Sequence, residues 1–373
     1  MTENDKNYMQ LAIELASRGK GGVNPNPLVG AVIVKNDEVV AEGWHQKCGE
    51  GHAEVNAFKD AVDKNVNVEG ATMYVTLEPC SHFGKTPPCA AAIIKNKIAR
   101  VVVGQMDPNP IVAGRGIKMI QDAGIEVECG VFEKELKYQN RVFLNYVQRK
   151  TPWVVMKTAM TLDGKIAAYT GDSRWVSCKE SRTFVHELRN EFQAIMVGVD
   201  TVITDNPKLT CRLDDRQGRN PIRIIVDSTC RIPTFAQILD TSVARTIVAT
   251  TNRADESKIQ KLKDMGVEVI IAKQRDKRVC LLDLMQRLGY LEIDGVLLEG
   301  GGSLNYSALD EGIVDEVMSI VAPKIIGGAE SKTPVSGQGF AKMSDAIELL
   351  NVRFIPLGED MMINGRIIYN KRK

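Results

Sequence analysis

The sequence lacks a charge imbalance, a long apolar run and a dense set of cysteines. Its 373 residues include 48 basic and 47 acidic side chains, so no strong field favours nucleic acid or an anionic membrane. No apolar run reaches the roughly 18 residues of a membrane span, and no basic segment leads into an apolar one at the start. The eight cysteines are spread along the chain, which favours free or metal-bound thiols over a disulfide scaffold. We therefore expect a cytoplasmic protein with no nucleic-acid or membrane partner.

The composition is that of a globular protein, with 44% hydrophobic and 25% charged residues, and the length favours two domains. Strands alternate with helices along the chain, which predicts α/β layers. A polar, proline-bearing stretch at 149–152 precedes a new strand and indicates a boundary between domains at 1–150 and 151–373. The predicted helices are 5–18, 52–62, about 117–123, 134–147 and about 179–190, with others beginning near 89 and 304. The predicted strands are 28–34, 39–44, 72–77, 100–103, 125–128, 153–159, 194–197, 222–226, 246–249, 267–271 and 295–298.

The most informative motif is His52-Ala53-Glu54, followed by Cys80 and Cys89. One imidazole and two thiols suit a tetrahedral Zn²⁺ and leave its fourth position for water. Glu54 is a carboxylate that this ligand set does not need. Zinc lowers the pKa of bound water towards about 7, and a free carboxylate can carry the proton to a departing amine. The motif therefore indicates a hydrolytic deaminase.

The spacing of the two cysteines departs from the general deaminase signature. Eight residues separate them, where the signature has two. The site survives this insertion if the segment bulges out as a loop, and Pro87 and Pro88 favour a helix that starts at Cys89. A helix N-terminus also lowers the pKa of a thiol. The alternative is a closed structural zinc with His82 or another thiol as fourth ligand, which would leave Glu54 without a role.

A glycine run, Glu299-Gly300-Gly301-Gly302-Ser303, lies between a predicted strand and a predicted helix in the second half. Backbone N–H groups at such a helix start bind phosphate, and glycines let a ligand approach closely. The run is not the G-x-G-x-x-G fingerprint, and the alternative is a tight turn without a ligand. Both halves of the zinc motif also lie where strands give way to helices, which is where open α/β sheets place ligands.

Several segments carry a family resemblance: 26–31, 51–54, 77–82, 84–89, 107–110, 113–116, 156–159, 163–165, 200–207 and 209–212. On these segments, residues 1–150 resemble the cytidine-deaminase-like superfamily. The whole chain resembles the bifunctional riboflavin-biosynthesis deaminase/reductase family, in which the long loop between the cysteines is typical. The second half resembles the dihydrofolate-reductase-like reductases.

The resemblance implies an N-terminal cytidine-deaminase-like α/β/α sandwich and a C-terminal dihydrofolate-reductase-like α/β domain. It implies zinc-dependent deamination of 2,5-diamino-6-(5-phosphoribosylamino)pyrimidin-4-one, a small phosphorylated pyrimidine. It further implies reduction of the ribosyl chain to ribityl with NADPH, where the choice of NADPH over NADH rests on the resemblance alone. The sequence does not determine the oligomeric state, and a homo-oligomer is one possibility.

The family pattern also assigns roles in the deaminase half. Zinc would be held by His52, Cys80 and Cys89, with Glu54 as the catalytic proton carrier. The implied substrate contacts are Asn26, His45, Lys85, Asp107 and Asn109. Position alone would also allow interpretations without substrate contact: a solvated loop lysine at 85, a surface imidazole at 45, and ordinary turn residues at 107 and 109.

In the reductase half, the pattern implies cofactor contacts at Ala159, Trp175, Thr201, Asp205, Ser228, Gly300, Gly301, Gly302 and Ser303. The implied substrate contacts are Lys157, Ser173, Arg189, Leu209, Arg212 and Glu299. Guanidinium groups suit phosphate because they bind it in a bidentate fork. The alternatives are a surface ion pair for Arg189, core packing for Trp175 and a scaffold role for Lys157, which we otherwise expect to orient or polarise the sugar.

Three other functions fit parts of the pattern. A nucleic-acid base deaminase shares His-x-Glu and Pro-Cys, but the neutral charge, the long loop and the second domain argue against it. A zinc-stabilised binding module without activity would give Glu54 no function. A chain with only one active half is compatible with the sequence, because a domain can keep its glycine loop after losing catalytic activity.

Overall fold

A computed structural model of the chain describes residues 2–81, 87–107 and 113–369. The chain forms two compact units, Met1–Lys150 and Thr151–Lys373. Each has its own sheet and its own hydrophobic core. Among the described residues, none of the helices combines the length and the apolar character needed to cross a bilayer.

The first unit contains a five-stranded sheet and six α-helices in its described part. The strands are β1 (Gly30–Lys35), β2 (Glu38–Trp44), β3 (Thr72–Leu77), β4 (Arg100–Gln105) and β5 (Glu126–Cys129). The helices are α1 (Glu3–Ser17), α2 (Ala53–Asp63), α3 (Cys89–Lys95), α4 (Arg115–Asp122), α5 (Glu133–Gln139) and α6 (Arg141–Arg149). The strand order is β2-β1-β3-β4-β5, with β3, β4 and β5 parallel and β1 antiparallel to both neighbours.

Alternation along the central strands produces two cores. Ala31 and Ile33 of β1 pack in one cluster with α2, α3 and α4, while Val32 and Val34 pack in another with α1 and α5. Successive side chains of a strand point to opposite faces, so a sheet with both faces buried places helices on each side. The unit is therefore an α/β/α sandwich.

The predicted helix over 134–147 is two helices, α5 and α6, which meet at Asn140. The Asn140 side chain accepts a hydrogen bond from the Leu28 backbone N–H at 2.8 Å and donates one to the Leu28 carbonyl at 2.9 Å. This buried amide holds the junction against the segment before β1. Periodicity alone could not reveal the break, because its cause is a contact with a distant part of the chain.

The described part of the second unit contains a nine-stranded sheet. Its strands are β6 (Trp153–Thr161), β7 (Ala194–Gly198), β8 (Ile222–Val226), β9 (Thr246–Thr250), β10 (Glu268–Ile271), β13 (Gly295–Leu298), β14 (Glu316–Ala322), β15 (Leu349–Leu357) and β16 (Asp360–Ile367), with β11 (Gln274–Arg275) and β12 (Arg278–Val279) as a separate hairpin. The helices are α7 (Lys179–Glu191), α8 (Val199–Asp205), α9 (Glu256–Asp264), α10 (Leu281–Tyr290) and α11 (Gly302–Asp310).

The strand order of the large sheet is β10-β9-β8-β7-β13-β6-β14-β16-β15. All neighbours are parallel up to β14, and β16 and β15 then pair in antiparallel fashion. One face packs on α10 and α11 and the other on α8 and α9. The carboxyl ends of the parallel strands therefore lie at one edge, where ligands of α/β sheets bind.

Candidate functional site

The first unit brings the three predicted zinc ligands together. His52 is the N-cap residue of α2, Cys80 follows β3 after two residues, and Cys89 is the first residue of α3. The ligand atoms of all three lie within 4.8 Å of one another. The loop between the cysteines thus returns Cys89 to a helix start. The alternative fourth ligand His82 lies outside the described residues.

The distances fit a tetrahedral metal. His52 Nδ1 lies 3.6 Å from Cys80 Sγ and 3.3 Å from Cys89 Sγ. Zinc–sulfur and zinc–nitrogen bonds of about 2.3 and 2.0 Å at the tetrahedral angle give a nitrogen–sulfur edge of about 3.5 Å. Within the described residues the cluster comprises these three side chains alone. The donor set therefore suits zinc and leaves one position for a non-protein ligand.

Glu54 lies in the first turn of α2, beside this cluster. Its side chain is 3% exposed, and its carboxylate interacts with the Cys89 thiol and with His52. Burial raises the pKa of the Glu54 carboxyl to about 6. The carboxylate is thus held next to the ligands without being one of them, which is the placement that a proton carrier requires.

Asn26 and His45 lie beside the metal cluster and are joined to each other. Asn26 Nδ2 is 3.1 Å from His45 Nε2, and His45 Nδ1 is 3.0 Å from the Gly51 carbonyl. Because a carbonyl only accepts, His45 carries its proton on Nδ1, and Nε2 accepts from Asn26. The His45 ring is 5.6 Å from that of His52 and only 2% exposed. The surface interpretation of His45 is therefore wrong.

Glu78 is a residue of this site that the sequence analysis missed. Its buried carboxylate accepts from the backbone N–H groups of Asp107 and Gly114 through Oε2, and of Gly116 and Ile117 through Oε1, at 3.0–3.4 Å. These donors include the first turn of α4, which Gly114 cannot cap with a side chain. Glu78 thereby fixes Asp107 near the strand end that carries Cys80.

Two predicted substrate contacts of the deaminase half, Lys85 and Asn109, lie outside the described residues. The signal that could have revealed Glu78 was its place in the Leu77-Glu78-Pro79-Cys80 segment, directly before a ligand.

The second unit holds a cleft of about 320 Å³ that contains a buried charge cluster of Lys157, Arg189 and Glu299. Glu299 Oε1 accepts from Arg189 Nε at 2.8 Å, and Oε2 accepts from Arg189 Nη2 and Lys157 Nζ at 3.1 Å each. The three side chains are 11–13% exposed. Burial would raise the pKa of Glu299, but the two cations outweigh burial and hold it below its usual range. Arg189 is therefore not a surface ion pair.

The same cleft contains Arg212, His186 and Trp175. His186 was not predicted; burial, followed by the nearby Arg189 and Arg212 charges, lowers its pKa to about 4. His186 Nδ1 accepts from the Arg212 backbone N–H at 3.2 Å, so the neutral ring carries its proton on Nε2. Trp175 is 62% exposed and stacks under the Arg182 guanidinium at 4.5 Å, which rules out core packing.

A larger cleft of about 930 Å³ follows the carboxyl ends of neighbouring parallel strands. It is lined by residues after β13, β7 and β8, among them Gly301, Thr201 and Ser228. Ile166 and Ser173 line both clefts, so the two adjoin. A ligand in the larger cleft can therefore reach one in the smaller cleft at this junction.

The glycine run has a packing role as well as an open face. A Cβ at Gly302 would lie 2.8 Å from the Thr333 carbonyl oxygen, and one at Gly300 would lie 2.6 Å from Asn305 Oδ1. At Gly301 the nearest such atom is Thr201 Oγ1 at 3.8 Å. Helix α11 begins at Gly302, two residues before the predicted start near 304.

The structure distributes the predicted reductase contacts between the clefts. Those in the smaller cleft are Lys157, Ala159, Ser173, Trp175, Arg189, Arg212, Glu299 and Gly300. Those in the larger cleft are Ser173, Thr201, Asp205, Ser228, Gly301, Gly302 and Ser303. Leu209 lines neither: it packs in the core of α8 and α9 with a backbone φ of 48°. Its predicted substrate contact is not supported by this placement.

Comparison with known proteins finds a matching family for each unit. The family model for the RibD C-terminal domain matches residues 152–363, and that for the cytidine and deoxycytidylate deaminase zinc-binding region matches residues 2–105. The riboflavin biosynthesis protein RibD of Actinobacillus pleuropneumoniae is 46% identical over 98% of this chain and 96% of its own. The chain belongs to the RibD family. RibD of Aquifex aeolicus is 44% identical over 97% of this chain and 98% of its own.

Solved RibD-family structures share the fold. The deaminase/reductase of Thermotoga maritima superposes with a TM-score of 0.85 at 38% identity, covering 98% of this chain and 99% of that one. Acinetobacter baumannii RibD gives 0.84 at 37% identity with the same coverage. The expected deaminase-like and dihydrofolate-reductase-like folds are confirmed, as is a bifunctional RibD-type deaminase/reductase that uses zinc and NADPH. The rival base-deaminase function is not favoured.

Proposed function

We propose that the first unit hydrolyses the ring amino group of 2,5-diamino-6-(5-phosphoribosylamino)pyrimidin-4-one, and that the second reduces the ribosyl chain of the product to ribityl with NADPH. The Thermotoga maritima relative is described as the corresponding deaminase and reductase. The observation that carries the proposal is the pairing of two sites in one chain: a three-ligand metal cluster beside a buried carboxylate, and a cationic cleft adjoining a long one.

In the deaminase half, His52, Cys80 and Cys89 would hold zinc, which supplies Lewis-acid activation of water. Glu54 takes a proton from the attacking water and delivers it to the departing exocyclic amino nitrogen, so ammonia leaves and a carbonyl forms on the ring carbon. The side-chain amide of Asn26 donates an N–H to His45. The side-chain carbonyl oxygen of Asn26 is therefore available to accept a hydrogen bond from the substrate. Asp107, Lys85 and Asn109 stay proposed substrate contacts.

In the reductase half, NADPH in the larger cleft would supply the hydride to the sugar carbon in the smaller one. The buried charge cluster carries one net positive charge, because Lys157 and Arg189 face the single carboxylate of Glu299. Glu299 thus fixes both cations near the reacting sugar, and Lys157 polarises it. Arg212 is the better phosphate ligand, since among the described residues its exposed guanidinium bonds only Thr210 Oγ1, at 2.9 Å, whereas Arg189 is engaged by Glu299.

The test is incubation of the purified chain with this substrate, with and without NADPH. We expect ammonia in both reactions and cofactor oxidation in the one that contains NADPH. Absence of ammonia would overturn the deaminase assignment, and ammonia without cofactor oxidation would restrict activity to the first half. A cytoplasmic location, a homo-oligomeric state and the absence of a nucleic-acid partner stay predictions, and light scattering after gel filtration checks the second.

A further inference from the structure

We propose that the guanidinium groups of Arg253 and Arg278, together with the Ser228 hydroxyl, bind the 2′-phosphate of NADPH and thereby select NADPH over NADH. The inference rests on the reductase function proposed above. It deepens that function by naming the residues that distinguish the two nicotinamide cofactors.

These groups lie together at one end of the larger cleft. Ser228 follows β8, Arg253 follows β9, and Arg278 belongs to the β11–β12 hairpin; all three line the cleft. Two further basic side chains, Arg231 and Lys277, line the same region. The glycine run follows β13, and Arg278 also reaches Ser307 of the helix that this run opens. A dinucleotide laid along the strand ends would therefore place one terminus among cations.

Hydrogen bonds hold the three segments in place. The Val279 backbone N–H donates to Ser228 Oγ at 3.1 Å, and Arg253 Nη1 donates to the Lys277 carbonyl at 2.8 Å. Arg278 Nη1 makes a long contact of 3.4 Å with Ser307 Oγ. The hairpin thus ties the Ser228 loop to the Arg253 loop before any ligand arrives. Preorganised donors of this kind bind without an ordering cost at the moment of binding.

The charges at this end are unbalanced. Arg231 Nη2 is paired with Asp200 at 2.7 Å. Neither Arg253 nor Arg278 has a carboxylate partner among the residues that the structure describes. Each guanidinium has five N–H donors in a planar fork that matches phosphate, and one nitrogen of each is engaged within the part of the chain that the structure describes. A phosphate dianion supplies the missing counter-charge.

At the end of β8 the described residues offer no cleft-facing carboxylate of the kind found at an NADH site. Enzymes that use NAD place a carboxylate after a neighbouring strand to bind the ribose hydroxyl, whereas those that use NADP place an arginine near the 2′-phosphate. The carboxylate after β8 is Asp227, which is 1% exposed and accepts from the Ile232 backbone N–H at 2.8 Å. It is therefore turned into the protein, and Ser228 faces the cleft in its place.

The experiment titrates the full-length chain with NADP⁺ and NAD⁺ by calorimetry, comparing the wild type with an Arg253→Gln/Arg278→Gln variant. We expect the variant to bind NADP⁺ about 10- to 100-fold more weakly and NAD⁺ within about twofold of the wild type. The same difference is expected for two fragments of the cofactors. The variant should bind 2′,5′-ADP, which carries the 2′-phosphate, more weakly than the wild type does, and it should bind 5′-AMP, which lacks that phosphate, about equally. The matched control is Arg275→Gln on the same hairpin, because Arg275 is bonded to Asp310 at 2.9 Å and does not line the cleft.

Equal weakening for NADP⁺ and NAD⁺, or no weakening, would overturn the proposal. If the wild type bound neither nucleotide, the reductase function itself would fail, so the two failures are distinguishable. Should the double variant not fold, Arg278→Gln alone gives the same comparison, since the Arg278 guanidinium makes only the long contact with Ser307 among the described side chains.

Discussion

The buried charge cluster of the reductase unit allows a quantitative prediction. Glu299→Gln removes the carboxylate that pairs with both Lys157 and Arg189 while keeping the side-chain volume. The two cations are then left 12–13% exposed without a counter-charge. Removing one partner of a buried ion pair costs about 3–5 kcal/mol, because the remaining charge stays desolvated. A domain of this size loses about 2–4 °C in Tm per kcal/mol, so we expect a fall of roughly 6–20 °C.

The chain provides a matched control for this effect. Arg245 and Glu268 form the same fork geometry, with Nε–Oε1 and Nη2–Oε2 distances of 2.6 and 2.8 Å, but are 38% and 45% exposed. Glu268→Gln should cost less than about 1 kcal/mol, since solvent screens an exposed pair. The difference in stability loss between Glu299→Gln and Glu268→Gln therefore measures the effect of burial at similar hydrogen-bond geometry.

Differential scanning calorimetry of the full-length variants measures both changes. NADP⁺ identifies the transition of the reductase unit, because a ligand raises the Tm of the unit that binds it. A second variant, Glu299→Gln/Lys157→Met, should recover part of the loss because it removes one uncompensated cation. If Glu299→Gln lowered the Tm no more than Glu268→Gln, the reasoning from desolvation would be refuted.

Four further predictions concern single residues. Glu54→Gln should retain zinc but lower ammonia release by about 10²- to 10⁴-fold while the reductase half keeps its rate on deaminated substrate; a near-normal rate would exclude Glu54 as proton carrier. Cys80→Ser should release zinc on purification, and a full equivalent of metal by elemental analysis would contradict the ligand assignment. Glu78→Ala should destabilise the deaminase unit by about 2 kcal/mol or more, because four N–H groups lose their acceptor; an unchanged thermal transition would show that those bonds contribute nothing. His186 has a pKa lowered from 6.5 to about 4 in the folded chain, so the unfolded chain binds more protons between these values. Stability should therefore fall as pH drops from about 6.5 towards 4, and His186→Asn should flatten that slope in denaturant titrations.

The sequence predicted the parts of the fold that depend on local periodicity. Strand 72–77 and the helix that begins at Cys89 are placed as predicted, and they position two of the three zinc ligands. The strands β14, β15 and β16 were not predicted. Most of β15 is exposed, so it has little of the apolar alternation that identifies a strand. Strand β15 forms because it pairs with β16. Such pairing between segments cannot be recognised from the local amino-acid composition.

The site residues that were missed share a similar cause. Glu78 acts through backbone donors that lie 29 to 39 positions further along the chain. Arg253 and Arg278 meet at the cleft only because parallel strands end at one edge and the hairpin folds over them. No motif marks such residues, since their role depends on where the sheet brings them. The metal ligands were predictable because zinc requires particular residue types, and this requirement appears in the sequence itself.

The most direct test is a crystal structure of the zinc-loaded chain with anomalous data at the zinc edge. The account predicts one zinc ion bound by His52, Cys80 and Cys89, with water as the fourth ligand and Glu54 within hydrogen-bonding distance of that water. A fourth protein ligand such as His82, or a Glu54 carboxylate turned away from the metal, would contradict it.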